Sequence, residues 1–276
     1  MKKYLLTGIP RSGTTLSCKI LNSLDDVIAL HEPISPNKLS SSTSSSAIKE
    51  IITEIDAIER KLIAGEAFEH GDATSLLLDN PIENTVSNGL RRLSVKRGEL
   101  QLPPQPSNLN LVVKQNALFA SIIDEAINYF HVVSVIRNPV DVFLSWMNVD
   151  LPINRGRIPG GEKFCNTLKD KLDNENDIAK RQVYIYNWFL NQFRQYASKI
   201  IKYEDIVDTN GQALVQAFSF NGFPSAEVRS ISRKYGLDTQ QKITFLISEH
   251  LSELCNEFYS QADITLRLHQ VCKVKI

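Results

Sequence analysis

The stretch that decides the fold is residues 3–16, which read KYLLTGIPRSGTTL. A short apolar run over 3–7 ends at Gly8, and apolar residues with helical spacing follow over 13–24. This order predicts a strand, a glycine-bounded turn and a helix, which together open an α/β domain. Gly8 and Gly13 have the spacing of the first half of a phosphate-binding P-loop, and the loop lies between a strand and a helix as that motif requires.

Strands and helices then alternate along the chain. We expect strands over 27–30, 109–113, 131–136 and 200–203, and helices over 47–62, 117–130 and 248–259. Short β-branched strands separated by helices predict a parallel sheet with helices on both faces. The expected fold class is therefore α/β, a P-loop-type three-layer fold with a central parallel sheet. Since we find neither a repeat nor a domain boundary, residues 1–276 are expected to form a single domain.

Two segments lack this pattern. The Ser/Thr tract over 40–46 cannot bury apolar surface and predicts a mobile loop. The stretch 69–110 predicts an irregular segment, because it contains turn residues such as the PPQP run at 103–106. Long loops beside a scaffolded site usually determine specificity. We therefore expect residues 34–110 and 149–180 to form the pocket and lids for whatever the protein acts on.

The composition excludes several classes of protein. The chain has 276 residues with 31 basic and 31 acidic side chains, and 42% of its residues are hydrophobic. Balanced charge argues against a general nucleic-acid binder and against a polybasic membrane binder. No apolar run approaches the roughly 18 residues that span a bilayer. We therefore expect neither nucleic acid nor a membrane among the partners.

The cysteines point to a reducing compartment. They are widely spaced and show no metal-type pairing: Cys18, Cys165, Cys255 and Cys272. This spacing argues against a zinc module or a disulfide scaffold. The first apolar run is also too short for a secretory signal. The expected location is cytoplasmic.

The glycine-bounded loop predicts an anion site. Such a turn points backbone N–H groups at one spot, and the helix dipole adds about half a positive charge there. The Walker lysine of nucleotide hydrolases is missing, because Thr14 occupies its place. Arg11, inside the loop, supplies a cation instead. The alternative is a structural glycine-rich turn with Arg11 on the surface.

A second cation follows the strand over 131–136. Arg137 stands at its carboxyl end, where ligands bind in open α/β sheets. Asn138 and Pro139 are a helix cap and a first helical residue, and Ser145 lies two helical turns past Asn138, on the same face. An arginine and a hydroxyl on one side can bind a phosphate, whereas a Walker-type metal site needs a carboxylate here. The alternative is a helix-capping arginine and a buried serine.

Together, the two motifs resemble those of the sulfotransferase family, whose donor is 3′-phosphoadenosine 5′-phosphosulfate (PAPS). Residues 10–16 resemble the loop for the 5′-phosphosulfate, and residues 137–145 resemble the 3′-phosphate site. Residues 202–205, KYED, resemble the YED motif, whose tyrosine lies near the adenine in several members. The resemblance implies these donor-binding residues: Arg11, Ser12, Gly13, Thr14, Thr15, Arg137, Ser145 and Tyr203.

The chain also departs from the family pattern. Cytosolic small-molecule members usually have lysine where Arg11 stands and tryptophan where Leu16 stands. Without that tryptophan, the adenine must be held differently here. Arginine at position 11 is more similar to the tyrosylprotein and bacterial branches. Residues 233–236, RKYG, resemble the family's late RKG loop only faintly.

Sulfuryl transfer is an in-line displacement that depends on positioning and electrostatics, and it leaves adenosine 3′,5′-bisphosphate as product. Arg11 beside the bridging oxygen would stabilise the leaving group, and the scheme requires no metal. Glu32 follows the second strand at an offset from Arg11 similar to that of the catalytic glutamate in the tyrosylprotein branch. We expect Glu32 to be the general base, with His31 as the second candidate. The alternative for Glu32 is a solvated residue after a strand.

Lys114 resembles the lysine of the family's KTH segment and is expected to help hold the sulfonate. The alternative is that Lys114 only extends to solvent at a strand end. Asn116 stands where some members have a catalytic histidine, and an amide cannot act as a base at neutral pH. The catalytic residues expected from the resemblance are therefore Glu32, His31, Arg11 and Lys114.

The acceptor is expected to bear a hydroxyl group. A small molecule, a carbohydrate, a peptide or a carrier-bound acyl group all fit the sequence. A local basic cluster, Arg91, Arg92, Lys96 and Arg97, is interpreted as a solvated face. A second hypothesis is that this cluster receives an acidic acceptor or an acidic carrier protein.

Two other functions stay open at this stage. One is a nucleotide-dependent small-molecule kinase with a degenerate P-loop, which would need ATP and Mg²⁺. The other is a non-catalytic anion-binding module. Loss of turnover with retained donor binding on substitution of Glu32 would separate an enzyme from such a module.

Overall fold

The computed structural model describes residues 1–41, 43–76, 80–87, 90–197, 199–228 and 234–272. Strands within these ranges are β1 (Lys2–Gly8), β2 (Val27–His31), β3 (Phe68–His70), β4 (Ile82–Ser87), β5 (Leu90–Leu93), β6 (Gly98–Leu100), β7 (Asn110–Lys114), β8 (His131–Ile136) and β9 (Lys199–Lys202). Five of them form a parallel sheet in the order β2-β7-β1-β8-β9. The four strands expected after β1 are thus confirmed, to within one residue at each end.

Helices surround this sheet. The α-helices are α1 (Thr14–Leu21), α2 (Ser44–Ala64), α3 (Ala117–Ser121), α4 (Ile123–Ala126), α5 (Pro139–Met147), α6 (Pro159–Glu162), α7 (Asn166–Asp173), α8 (Ile178–Tyr196), α9 (Tyr203–Asp208), α10 (Gln212–Ala217), α11 (Leu237–Leu254) and α12 (Gln261–Cys272). Two 3₁₀ turns, Pro36–Lys38 and Pro152–Arg155, lie in the segments expected to form the pocket. None of the helices in the described ranges has the length and apolar content that crossing a bilayer requires.

The sheet is buried on both faces. Successive residues of a strand point to opposite sides, and Leu5 and Leu6 of β1 accordingly enter two different apolar cores. The core on the Leu6 side packs against α1, α9 and α10, and the core on the Leu5 side packs against most of the other helices. This arrangement of helices, sheet and helices confirms the three-layer α/β fold.

The strand register brings four strand ends to one edge. β1 lies between β7 and β8, with Leu6 opposite Lys114 and Gly8 opposite Val135. His31 at the end of β2 is also opposite Lys114. Because the strands are parallel, the residues that follow them emerge at the same edge of the sheet.

The prediction of one continuous crossover helix over 117–130 is wrong. The chain forms two short helices, α3 and α4, which are separated by Ile122 with φ −122° and ψ 15°. The Ser121 hydroxyl donates a hydrogen bond to the Leu118 carbonyl at 2.8 Å, a local contact that competes with helix continuation.

The expected loop over 40–46 is also partly wrong. Helix α2 begins at Ser44, because the Thr43 hydroxyl accepts a hydrogen bond from the Ser46 amide and caps the helix. Thr43 of this Ser/Thr tract thus caps a helix, and residue 42 of the tract lies outside the described residues.

The described residues between 69 and 110 are more regular than expected. β3 pairs with β6, and β4 pairs with β5, as two antiparallel pairs. Three- and four-residue strands such as β3, β5 and β6 are too short to show a clear alternating pattern. The expected helix over 248–259 ends early, at Leu254, because the Asn256 side chain accepts hydrogen bonds from the Phe258 and Tyr259 amides and forms a turn.

Substitution of Gly13, which precedes α1, tests how closely the loop packs against Tyr203. The Gly13 φ of +92° is left-handed, and an added Cβ would lie 2.4 Å from the Tyr203 ring. We expect Gly13→Ala to lower the free energy of unfolding by about 1–3 kcal/mol in urea titrations.

Gly236→Ala is the matched control, since Gly236 has φ −66° and an added Cβ there would meet nothing within 4 Å. An equal loss of stability in the two variants would contradict the close packing at Gly13.

Candidate active site

The loop between β1 and α1 lies tightly against β8. The Ile9 amide and the Ser12 hydroxyl both donate hydrogen bonds to the Val135 carbonyl, at 3.0 and 2.9 Å. Arg11 has a left-handed φ of 73°, as Gly13 does. Within the described part of the chain, no side chain caps α1 at Gly13, so the first amides of this helix remain available to an anion.

Arg11 joins the two predicted anion sites. Its Nε donates to the Ser145 hydroxyl at 3.1 Å, and its Nη2 donates to Asn80 Oδ1 at 2.9 Å. The Trp146 indole N–H also donates to the Pro10 carbonyl at 2.8 Å. The loop is therefore hydrogen-bonded to α5 at two consecutive residues, and the two motifs form one continuous surface.

Arg137 lies beside this loop. Its Nη1 donates to the Arg11 carbonyl at 3.4 Å, and its guanidinium carbon lies 4.2 Å from the centroid of the Tyr203 ring. Its Nη2 is 3.5 Å from Asp141 Oδ1. The buried Nε of Arg137 makes no hydrogen bond to any described residue. Tyr203 thus holds Arg137 on one side and packs against Gly13 of the loop on another.

Arg267 is a neighbour that sequence reasoning missed. Its Nε and Nη2 bind both oxygens of Asp141, at 2.7 and 2.8 Å. No local motif identifies Arg267, because α12 reaches α5 only through the tertiary fold. Arg233 of the RKYG segment lies outside the described residues, whereas Lys234 lines the same cavity.

Glu204 of the KYED motif secures the end of β8. Its Oε1 accepts a hydrogen bond from the Asn138 amide at 3.1 Å, and its Oε2 accepts one from the Tyr259 hydroxyl at 2.7 Å. Asn138 caps α5 as expected, since its side chain accepts from the Val140 amide at 3.0 Å. Glu204 therefore positions the segment that carries Arg137.

An ion pair occupies the ends of β2 and β7. Lys114 is only 2% exposed, and its Nζ lies 2.6 Å from Glu32 Oε1 and 3.4 Å from His31 Nδ1. The alternative that Lys114 extends to solvent is excluded by this burial. Glu32 is 39% exposed at its side chain and has a left-handed φ of 48°.

Burial and the Lys114 charge together determine the protonation states of Glu32 and His31 at neutral pH. Burial alone would raise the pKa of Glu32, but the Lys114 charge and hydrogen bond, with smaller effects of His31 and Arg97, hold that pKa at about 2. Burial, followed by the Lys114 charge, lowers the pKa of His31 to about 3. Glu32 is therefore a carboxylate and His31 a neutral imidazole near pH 7.

Residues from the 69–110 segment hold the strained Glu32 backbone. Arg97 donates from Nη1 to the Glu32 carbonyl at 2.7 Å and from Nη2 to the Pro33 carbonyl at 3.0 Å. His70 Nε2 accepts from the His31 amide at 2.8 Å, and its Nδ1 lies 2.7 Å from the Asp72 carbonyl oxygen. Arg97 was identified from the sequence only as part of the basic cluster, because nothing in its neighbourhood indicates a contact 65 residues away.

These groups face one cavity of about 1330 Å³. The sequence-predicted residues that line it are Arg11, Gly13, Thr14, Thr15, His31, Glu32, Lys114, Arg137, Ser145 and Tyr203. Ser12 is the exception, since it is fully buried with its hydroxyl on the Val135 carbonyl. Residues from both expected pocket segments, 34–110 and 149–180, also contribute to the wall.

The cavity is strongly basic although the chain is neutral. Among described residues, its cationic lining is Arg11, Lys19, Arg91, Arg97, Lys114, Arg137, Arg157, Lys234 and Arg267, and its acidic lining is Glu32, Asp141 and Glu227. A concave site with this excess of cations attracts anionic ligands. In the same described part of the chain, no group of three or more His, Cys, Asp or Glu side chains is placed to hold a metal ion.

The interpretation of the basic cluster as a solvated face is wrong for Arg91 and incomplete for Arg97, which is exposed but donates to two backbone carbonyls and lines the cavity. Arg92 and Lys96 are exposed, but Arg91 is only 7% exposed and lines the cavity. The position of Arg91 follows from β5, which pairs with β4 and was not recognised from the sequence.

The fold and the cavity define an α/β protein of the P-loop type with a basic cavity at the carboxyl edge of its sheet. Residues 1–261 match the family model described as "Sulfotransferase domain". The chain therefore belongs to the sulfotransferase family, whose members transfer a sulfuryl group.

A solved structure to which the chain is similar is the sulfotransferase from Alicyclobacillus acidocaldarius. The two chains share 12% sequence identity over 96% of each, with a TM-score of 0.45. No curated protein matches the sequence.

The lowered pKa of Glu32 predicts a pH-dependent stability. The folded pKa of about 2 lies below the ordinary value of 4.5, so the charged carboxylate stabilises the fold fully above pH 4.5, and this contribution is lost as the pH falls towards 2. Glu32→Gln removes it and leaves Lys114 buried without its partner. We expect the wild type to be more stable than this variant at pH 6, by a margin that shrinks between pH 4.5 and pH 2.

Chemical denaturation at several pH values measures this margin. Glu54→Gln, at an exposed position of α2, is the matched control for loss of a carboxylate. A margin between wild type and Glu32→Gln that stays constant from pH 6 to pH 2 would contradict the Glu32–Lys114 ion pair.

Proposed function

We propose that the protein transfers a sulfuryl group from PAPS to a hydroxyl-bearing acceptor. The observation that carries this proposal is the hydrogen bond between Arg11 and Ser145, which joins the 5′-phosphosulfate loop to the 3′-phosphate site in one cavity. A donor with anionic groups at both its 5′ and 3′ ends fits two adjoining anion sites better than a donor with one phosphate chain.

The donor's 3′-phosphate is assigned to Arg137 and Ser145. Arg137 is held from both sides, by the Tyr203 ring and by the Arg11 carbonyl. Ser145 is 9% exposed and already accepts from Arg11. Tyr203 acts as a positioning residue through Arg137, and its ring also lies near the loop where the nucleoside would bind.

The 5′-phosphosulfate is assigned to the loop and α1. Amides at the start of α1, the hydroxyls of Thr14 and Thr15, and the Arg11 guanidinium supply donors for its oxygens. Arg11 holds its guanidinium on Ser145 and Asn80, at the junction of the two sites. It is therefore placed to neutralise charge on the leaving phosphate.

The reaction is an in-line displacement at sulfur. The acceptor oxygen forms a bond to sulfur while the bond between sulfur and the bridging oxygen breaks, and the electron pair leaves with adenosine 3′,5′-bisphosphate. The proton of the acceptor hydroxyl passes to a base of the protein. Lys114, which lines the same cavity as the loop, supplies positive charge that stabilises the sulfonate during its transfer.

Glu32 is the base that the geometry favours over His31. The Glu32 side chain is 39% exposed in the cavity, whereas His31 is 8% exposed. An imidazolium at His31 would lie 3.4 Å from the Lys114 ammonium, which disfavours proton uptake there. When a sulfonate draws on the Lys114 charge, the pKa of Glu32 rises towards the range useful for a base.

Residues 34–110 and 149–180 form the acceptor side of this site. Arg97 from the first segment fixes the backbone of Glu32, and Ile153 and Ile158 from the second line the cavity. Acceptor-binding segments thus touch the proposed base directly, so acceptor binding and base positioning are coupled.

Binding of adenosine 3′,5′-bisphosphate tests the proposed donor site. At about 100 times its Kd, this ligand should stabilise the wild type by roughly 2.7 kcal/mol, without added metal. Arg137→Ala should abolish the shift in melting temperature, because it removes the cation of the 3′-phosphate site. Arg155→Ala, at an exposed arginine that pairs with Asp150, is the matched control.

Two results would contradict the proposal. A shift with ATP and Mg²⁺ but none with the bisphosphate would favour a kinase. A bisphosphate shift that survives in Arg137→Ala would place the 3′-phosphate elsewhere.

A further inference from the structure

Arg91 is a cavity-lining cation that the donor site does not use. It lies in β5, on the hairpin that β4 and β5 form within the acceptor segment. Its backbone is fixed to the chain after α5, since its amide donates to the Asn148 carbonyl at 3.0 Å and its carbonyl accepts from the Asp150 amide at 2.8 Å. The backbone from which its side chain projects is therefore held firmly against α5.

The Arg91 side chain is buried with one of its donor nitrogens, Nη1, left without a hydrogen-bond partner among the described residues. The residue is 7% exposed. A guanidinium stays charged at every physiological pH, and a buried charge is unfavourable unless it is paired. An unpaired donor of this kind in a cavity wall indicates a position for a ligand anion.

Other arginines of the cavity already have partners. Arg157 pairs with Glu162 and Asp173, and Arg267 binds both oxygens of Asp141. Arg97 donates to two backbone carbonyls. Arg91 differs from these three in keeping a buried donor unused in the described part of the chain, a feature it shares with the Nε of Arg137, which the proposed function assigns to the donor.

The location of Arg91 indicates that the anionic group it would bind belongs to the acceptor and not to the donor. The two anionic ends of the donor have their own cations in Arg11, Lys114 and Arg137. Arg91 belongs instead to the 34–110 segment, and apolar side chains that include Leu93, Val95 and Leu151 share the cavity wall. A ligand that matches this wall has an apolar body and an oxyanion.

We propose, on the basis of the proposed function, that the acceptor is an amphipathic hydroxylated compound whose carboxylate or phosphate is bound by Arg91. A planar guanidinium can bind either group through two parallel hydrogen bonds. The acceptor's hydroxyl group then faces Glu32, while its anion anchors it on the β4–β5 hairpin. Neutral carbohydrates and neutral peptides lack this anchor and are poorer acceptors.

Matched acceptor pairs test this inference. Hydroxylated aryl and alkyl carboxylic acids of increasing length are compared with their methyl esters, and with the corresponding phosphates, in PAPS-dependent turnover. We expect kcat/KM of the wild type to favour the best anion over its neutral counterpart by about 10–100-fold, the range for a hydrogen bond to a charged group. Whether acids or phosphates show the larger ratio identifies the oxyanion.

Substitution of Arg91 should remove this preference selectively. Arg91→Met should bring the anion-to-ester ratio close to one by lowering kcat/KM for the anion, whereas Arg91→Lys should retain part of the ratio. Arg92→Met, at the exposed neighbour, is the matched control and should keep the full ratio. Melting temperatures of all variants show whether they fold, and Arg91→Lys keeps the test valid if Arg91→Met does not.

Binding of adenosine 3′,5′-bisphosphate, measured by calorimetry, separates the inference from the proposed function. If the wild type binds the bisphosphate but has equal kcat/KM for anions and esters, the inference is overturned and the proposed function stands. The same holds if Arg91→Met keeps the full preference for anions. Weakened bisphosphate binding in Arg91→Met would assign Arg91 to the donor and overturn the inference too. If the wild type binds no bisphosphate, the proposed function fails and the inference falls with it.

Discussion

The parallel register of β1 between β7 and β8 is the constraint on which the site depends. It places Lys114 opposite Leu6 and Val135 opposite Gly8, so that the loop after β1 rests on β8 while the ion pair of Lys114 and Glu32 forms beside it. A shift of one residue would turn Lys114 to the other face of the sheet. The apolar cores on both faces prevent such a shift, since each strand residue has a buried place on one side.

The molecule has no net charge, but its cations are concentrated at one place in the fold. A neutral chain gathers its cations at the carboxyl edge of the sheet and neutralises only some of them with carboxylates. Lys114 is compensated by Glu32 and Arg267 by Asp141, whereas Arg91 and Arg137 each keep a buried donor unused among the described residues. In the proposed mechanism, a bound sulfonate competes for the Lys114 charge, which couples donor binding to the basicity of Glu32.

Local patterns were sufficient to predict the strands of the sheet, the three-layer fold and residues of both motifs that the structure brings to one cavity. Arg11, Arg137 and Ser145 could be recognised because each stands at a fixed distance from a strand end or a helix start. The contacts of Arg97 and Arg267 could not be predicted, because they form only in the tertiary fold, with partners 65 and 126 residues away in sequence. Arg91 was noticed but misplaced, since the short strand that buries it has too few residues to show a period.

Transfer of label from PAPS carrying ³⁵S in its sulfuryl group tests the central claim most directly. The account predicts that the wild type moves the label to a hydroxylated acceptor and forms one adenosine 3′,5′-bisphosphate for each label transferred. Glu32→Gln should bind the bisphosphate as the wild type does but transfer label about 10² times more slowly or worse. Absence of transfer from PAPS, together with transfer of the γ-phosphate from labelled ATP, would contradict the account, as would undiminished transfer by Glu32→Gln.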